Sequence, residues 1–229
     1  KPVFVPTAIG RRIGTEIKSA VEGAYDFNPI YFHLRRGGHV AAMHHHRDHL
    51  AFARIDISRF FYSVSRRRVQ SALDRIGVAN ARFYAKWSTV ANPFDDPRYA
   101  LPYGFVQSPI LASLVVATSQ VGDHLLALPA TVSVSVYMDD ISLSSDDETE
   151  LVKAYESTLA ALAADGFKVS ADKLRKPANA IDVFNCDLTH GRSVVRDERI
   201  AEFFAGGPDQ ISEEAFIAYC ASVELGNQP

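Results

Sequence analysis

The feature that most constrains this chain is a carboxylate pair set between two alternating stretches. Val132, Val134 and Val136 alternate with serines, and Ile141 and Leu143 alternate with serines again, with Tyr137-Met138-Asp139-Asp140 between them. Alternation with period two marks half-buried strands, so residues 134–143 read as a hairpin turning around Met138 and Asp139. Adjacent like charges repel, and fixing them at a hairpin tip makes physical sense where a divalent cation neutralises them. An Asp-Asp pair alone is weak evidence, because the chain also has Asp95-Asp96 and Asp146-Asp147. Those pairs lie among Pro, Ser and Glu in loop-like sequence, whereas Asp139-Asp140 lies between apolar strands.

A chain of 229 residues can bury a real core, as one large domain or two small ones. Its apolar stretches fall short of the roughly 20 residues that cross a bilayer, and the start lacks the apolar region of a signal peptide. The expectation is a cytoplasmic protein without membrane partners. The first residue is Lys1 rather than Met, which points to a trimmed or excerpted chain. Cys186 and Cys220 are too few for a disulfide framework and read as reduced thiols. A net charge of −3 argues mildly against a general nucleic-acid coat. Its distribution says more: acids gather from Asp139 to Glu156, and bases in Arg11-Arg12, Arg35-Arg36 and Arg66–Arg68.

Apolar spacing predicts helices over 10–25, 66–76, 110–126, 147–164 and 212–223, with Ser108 as cap and Pro109 in the first turn of the third. Strands are expected over 51–57, in the hairpin, and over 167–170, 181–186 and 193–195; residues 28–38 read as strand and turn, and 92–103 as loop. This order fits an α+β fold, an antiparallel sheet with helices on one face. Asp56 shares a strand face with Phe52 and Arg54. With Asp139 and Asp140 it gives a single sheet three carboxylates, the complement that holds two magnesium ions for in-line phosphoryl transfer. Nucleotidyl transfer is the natural chemistry.

Three ordered segments resemble the palm motifs of reverse transcriptases: Phe52-Ala-Arg-Ile-Asp56-Ile-Ser-Arg-Phe-Phe61, Leu101-Pro-Tyr-Gly104-Phe-Val-Gln-Ser-Pro109, and Tyr137-Met-Asp139-Asp140. Gly166 to Lys173 resembles the fourth motif, and Val183 to Leu188 stands where the primer-grip hairpin follows. The resemblance spans roughly residues 28–205, and the Phe-Phe after the first aspartate is similar to the bacterial retron, group II intron and phage-defence enzymes. It implies a right-hand architecture: part of the fingers in 1–50, palm in 51–66 and 101–205, a fingers–palm connection in 67–100, and the start of a thumb or a C-terminal helix in 206–229.

The same resemblance implies roles. Asp56 and Asp139 would be the principal ligands of two Mg2+ ions, with Mn2+ a substitute, Asp140 a nearby third carboxylate and the Ile57 carbonyl a further ligand. Phe61 matches the residue that excludes a ribose 2′-hydroxyl, against the alternative of a core aromatic. Tyr103 and Gly104 would meet the incoming nucleotide, Lys173 its phosphates, and Arg35 or Arg36 the triphosphate. RNA template, DNA product and deoxynucleotides would be the partners. Tyr103 replaces the family's glutamine, no Val-Thr-Gly stands near the C-terminus, and few residues remain for a thumb, so truncation or a thumb from another subunit or second copy is expected. Six histidines lie between His33 and His49 (His33, His39, His44, His45, His46 and His49), read as a polar, partly basic fingers helix rather than a zinc site. Arg66–Arg68 at a helix start would meet an anionic backbone or cover apolar surface. The reading is a primer-extending polymerase, and the resemblance to the bacterial enzymes implies a role in phage defence. Its rivals are an RNA-directed RNA polymerase, an untemplated terminal transferase, and a non-catalytic scaffold that binds nucleic acid or assembles with partners.

Overall fold

In the computed structural model, which describes residues 2–94 and 96–228, Thr7 caps the first helix, α1 (Ala8–Ala24), by accepting the Gly10 N–H, and Gly14, Ile17 and Val21 face inward. The expected strand over 28–38 does not form. Asn28 accepts the Ile30 N–H on its side chain and the Tyr31 N–H on its carbonyl, which curls the chain into a 3-10 turn at Phe32–Leu34. Gly37, at φ 91°, then starts α2 (Gly38–His46), the helix that carries four of the eight histidines. The next elements are β1 (Ala51–Asp56), α3 (Phe60–Ser63) and α4 (Arg66–Arg75), the last capped by Ser65. An unanticipated helix, α5 (Ala81–Ser88), follows, and the expected loop holds a short pairing of β2 (Val90–Ala91) with β3 (Tyr99–Ala100). Of the loop's Asp-Asp pair, Asp95 lies outside the described residues.

The helix expected over 110–126 is two, α6 (Ser108–Ala117) and α7 (Gln120–Leu126). Thr118 turns its hydroxyl back to the Leu114 carbonyl, and Ser119 does the same to Val116, while Asp165 takes the Val121 N–H. These local bonds compete with the helical ladder and end it. Gln107, not Ser108, holds the cap position of α6. The hairpin forms as β4 (Ser133–Tyr137) and β5 (Asp140–Ser145), and Asp147, one of the two comparison pairs, caps α8 (Glu148–Ala164). Its neighbour Asp146 accepts the Leu50 N–H, so that pair is spent on structure. Residues 167–170 make one bridge, Ile57 to Val169, rather than a strand. Then come β6 (Arg175–Ala178), β7 (Ala180–Val183), β8 (Cys186–Thr189) and β9 (Arg192–Val195). Positive φ at both Phe184 and Asn185 makes the tight turn that divides the stretch 181–186. Two helices close the described chain, α9 (Asp197–Ala205) and α10 (Gln210–Glu224), where one was expected.

The main sheet runs β4-β5-β1-β6, antiparallel throughout, and β7-β8-β9 form a second sheet. Alternation gives the main sheet two unlike faces. Ala53, Ile55, Val134, Val136, Ile141 and Leu143 enter the large core with α6 and α8. Each fully buried aliphatic side chain there contributes about 1.5–3 kcal/mol. The opposite face carries Phe52, Arg54 and Asp56 on β1 and serines on β4 and β5. Over that face, α2, α10 and the second sheet gather around Met43 and Phe52 in a smaller core.

Candidate active site

The polar face of the main sheet ends in charge. Asp56 and Asp140 are direct partners across the β1–β5 register, so their side chains leave the sheet on the same side. The Ile57 N–H donates to the Asp139 carbonyl (2.8 Å), which ties the strand end to the hairpin turn. On the other flank the Ser58 N–H donates to the Lys168 carbonyl and the Ser170 N–H to the Asp56 carbonyl. That path delivers Lys173, on a 3-10 turn, so that Nζ lies 2.9 Å from Asp56 Oδ2. Three segments far apart in sequence thus converge on one corner.

Asp56 is buried, and Asp140 nearly so at 13% exposure of its side chain. Burial pushes the Asp140 carboxyl up to about 6, assisted by Asp139 and Asp56 and opposed by Arg54. Arg54 Nε donates to Asp140 at 2.6 Å and its guanidinium also reaches Asp182, which Arg175 grips in turn. Burial works to raise Asp182, but its bonds to Arg175 and the charge of both arginines hold it below the ordinary carboxylate range. Hydrogen bonding to Asp56 raises Lys173, which stays charged.

Hard oxygen donors in an anionic corner suit magnesium. Among the described residues, no three His, Cys, Asp or Glu side chains converge as a ready metal site. Asp140 is engaged by Arg54, whereas Asp56 has a lysine ammonium against it, a cation where a cation is attracted. The donor chemistry therefore fits a divalent ion at the Asp56–Asp139 pair, with Asp140 held back by Arg54.

Phe61 packs edge-on against Tyr103 (centroids 4.7 Å apart), and is the least buried of Phe60, Phe61 and Tyr62 at 7% exposure. Gly104, at φ 99°, is crowded by the protein itself: an added Cβ would lie 2.1 Å from the Phe4 carbonyl oxygen. The N-terminal segment runs over this loop, with the Phe4 N–H donating to the Tyr103 carbonyl and the Tyr62 hydroxyl to that of Pro2. Arg35 and Arg36 are not brought to the carboxylates. Arg35 donates to the Pro29 carbonyl and lines a cleft with Glu22, Asp26 and Tyr31, and Arg36 is exposed. Arg66 and Arg68 lie over the rings of Tyr99 and Phe167, so they cover apolar surface.

Sequence reading passed over Arg54 as a partner, although period two alone places it beside Asp56. It also set His33 and His49 with the other four histidines on one fingers helix, whereas His33 lies in the 3-10 turn before α2 and His49 after it. His33 Nδ1 accepts the Met138 N–H (3.3 Å), Nε2 lies 2.7 Å from Ser113 Oγ, and burial pushes the imidazole down to about 4. Burial also lowers His39, His45 and His124 below the usual imidazole range. His46 is fully buried between Ser144 and Ser135, and burial first, then the charges of His45 and His49, lowers it well below its usual value.

Several known proteins are similar to this one. The chain is 30% identical over 125 residues to the Gag-Pol polyprotein of Walleye dermal sarcoma virus, covering 52% of the chain and 7% of that polyprotein. Telomerase from Candida albicans, solved with a fragment of telomeric RNA, superposes at a TM-score of 0.55 and 11% identity over 82% of this chain and 37% of its own. A foamy viral protease-reverse transcriptase solved with double-stranded DNA gives 0.48 at 20% identity, over 72% of this chain and 26% of its own. The chain thus spans a small part of the length of these relatives. The sequence profile described as reverse transcriptase (RNA-dependent DNA polymerase) matches residues 2–183, well over half of the 229. With an antiparallel sheet that gathers the expected aspartates, this chain belongs to the reverse transcriptase family.

Proposed function

We propose that this chain is the fingers-and-palm part of a polymerase that extends a primer with deoxynucleotides on an RNA template. The observation that carries the reading is the register that sets Asp56 opposite Asp140 while the Asp139 carbonyl is tied to Ile57. Asp56 and Asp139 would hold two magnesium ions, with the Ile57 carbonyl as a further ligand. Bound there, the ions would lower the pKa of a primer 3′-hydroxyl and stabilise the leaving pyrophosphate. Arg54 keeps Asp140 ionised and turned along the sheet, while Lys173 supplies a mobile positive charge for a phosphate once a metal takes its place at Asp56. Phe61, braced by Tyr103, would be the wall against a 2′-hydroxyl. The segment division stands as part of this reading: fingers in 1–50, palm in 51–66 and 101–205. A bacterial origin and a role in phage defence rest on the Phe-Phe after the first aspartate.

The test is incubation of wild type and Asp139→Asn with magnesium, each nucleotide pool and several templates, followed by sequencing of the product. Extension by wild type alone, with deoxynucleotides, is expected, and Phe61→Ala should admit ribonucleotides at least about 10-fold better. Equal products from wild type and Asp139→Asn would end the catalytic reading in favour of a binding scaffold. Product without template would favour a terminal transferase.

A further inference from the structure

The Met138-Asp139 turn carries strain that nothing local relieves. Tyr137 and Asp140 close a two-residue loop, and of its two residues only Met138 has positive φ, 56°. Glycine normally fills such a position, and a side chain there costs of order 1 kcal/mol. The turn must therefore be held from outside. On the Asp139 side the Ile57 N–H holds it, and on the Met138 side a residue 105 positions away does, His33.

A backbone N–H can only donate, so in this bond His33 Nδ1 accepts from Met138 and the ring proton sits on Nε2, with the Val136 backbone a further hydrogen-bond neighbour of the ring. There it faces Ser113 Oγ at 2.7 Å, and the Ser113 hydroxyl passes its own hydrogen to the Pro109 carbonyl at 3.0 Å. Every donor has an acceptor along this line. The rings of Tyr31 and Tyr137 stand edge-on to the imidazole and fix its plane. The line ends in α6, directly after the loop of Tyr103 and Gly104, so one imidazole couples that loop's helix to the carboxylate turn.

We infer that His33 is the positioning residue of the carboxylate turn, holding the Met138 amide through Nδ1 and Ser113 through Nε2 so that Asp139 meets Asp56 at the spacing a divalent cation needs. This rests on the polymerase reading and adds a residue to it. His33 touches neither substrate nor metal. A histidine that merely fills space would be replaced by any side chain of similar size, and the two nitrogens provide a way to tell.

The variants are His33→Asn, which keeps an acceptor at the Nδ1 position, His33→Gln, which keeps only a polar group at the Nε2 position, and His33→Phe, which keeps neither. Mn2+ binding followed by electron paramagnetic resonance, the Met138 amide resonance and the melting temperature are measured on each, with primer extension titrated against Mg2+. His33→Gln and His33→Phe are expected to weaken Mn2+ binding about 10-fold and to raise the Mg2+ requirement alike, while His33→Asn stays within about 2-fold. A Met138 amide that shifts equally in His33→Asn and His33→Gln, or metal affinities that follow melting temperature and not the retained acceptor, would overturn the inference. Wild type that binds no Mn2+, with the amide moving in His33→Gln and not in His33→Asn, would fell the polymerase reading and leave the hydrogen bond standing.

Discussion

The polar face of the main sheet has two ends, built on the same strands and put to opposite use. At one end His46, on α2, sits between Ser144 and Ser135, and His49 lies against Ser133. At the other, Asp56, Asp139 and Asp140 share Arg54 and Lys173, and the corner carries unbalanced charge. β1 spans the change in three steps along one face, from Phe52 in a core through Arg54 to Asp56. At the serine end His46 and His49 give Ser135, Ser144 and Ser133 partners, so those groups contribute stability, while Ser142 Oγ is buried without one among the described residues. The carboxylate end leaves like charges together, which costs stability and creates affinity for a cation.

The strongest break of this contrast is Asp56→Asn. Primer extension should fall by about 1000-fold, some 4 kcal/mol of barrier, with the melting temperature unchanged or raised because repulsion with Asp140 is relieved. A stability loss as large as the activity loss would erase the distinction between the ends. Next in size is His46→Ala, which orphans Ser135 and Ser144 and opens a cavity. It should cost about 3 kcal/mol in denaturant unfolding while the folded fraction keeps its activity.

The smallest effect reads both ends at once through pH. His33 and His46 are depressed in the folded protein, so the unfolded chain binds more protons in acid. The His33 stabilisation is present above about 6.5 and is lost as pH falls toward about 4, and His46 acts in the same direction. Asp140 works the other way: raised to about 6, it stabilises at low pH and loses that contribution as pH rises through 6. Unfolding of metal-free protein should weaken by roughly 2 kcal/mol between pH 6.5 and 4.5, and Asp140→Asn should make that slope steeper. A flatter slope in the variant would mean that Arg54 governs Asp140 more than burial does.

Much of this corner was legible before any fold was known. The hairpin, its turn and the strand ending at Asp56 follow from alternation, and the ordered motifs around them named the carboxylates and Lys173. The fingers region was less legible. Residues 28–38 contain no periodic signal, and the side-chain bond of Asn28 decided a turn that apolar content suggested as strand. Gly104 was read as making room for a nucleotide, yet the space beside it is taken by the Phe4 carbonyl, a contact between residues a hundred positions apart.

Local periodicity determined which residues share a face, because pleat and side-chain direction are properties of each strand alone. That was enough to set Arg54 beside Asp56 and serines behind the aspartates. Only the tertiary structure decided that β1 pairs with β5 in the register that opposes Asp56 and Asp140, that Arg54 and Lys173 divide those charges, and that His33 holds the turn. Such contacts join segments whose separation leaves no local trace, and their energy is felt only once the whole chain has closed around them.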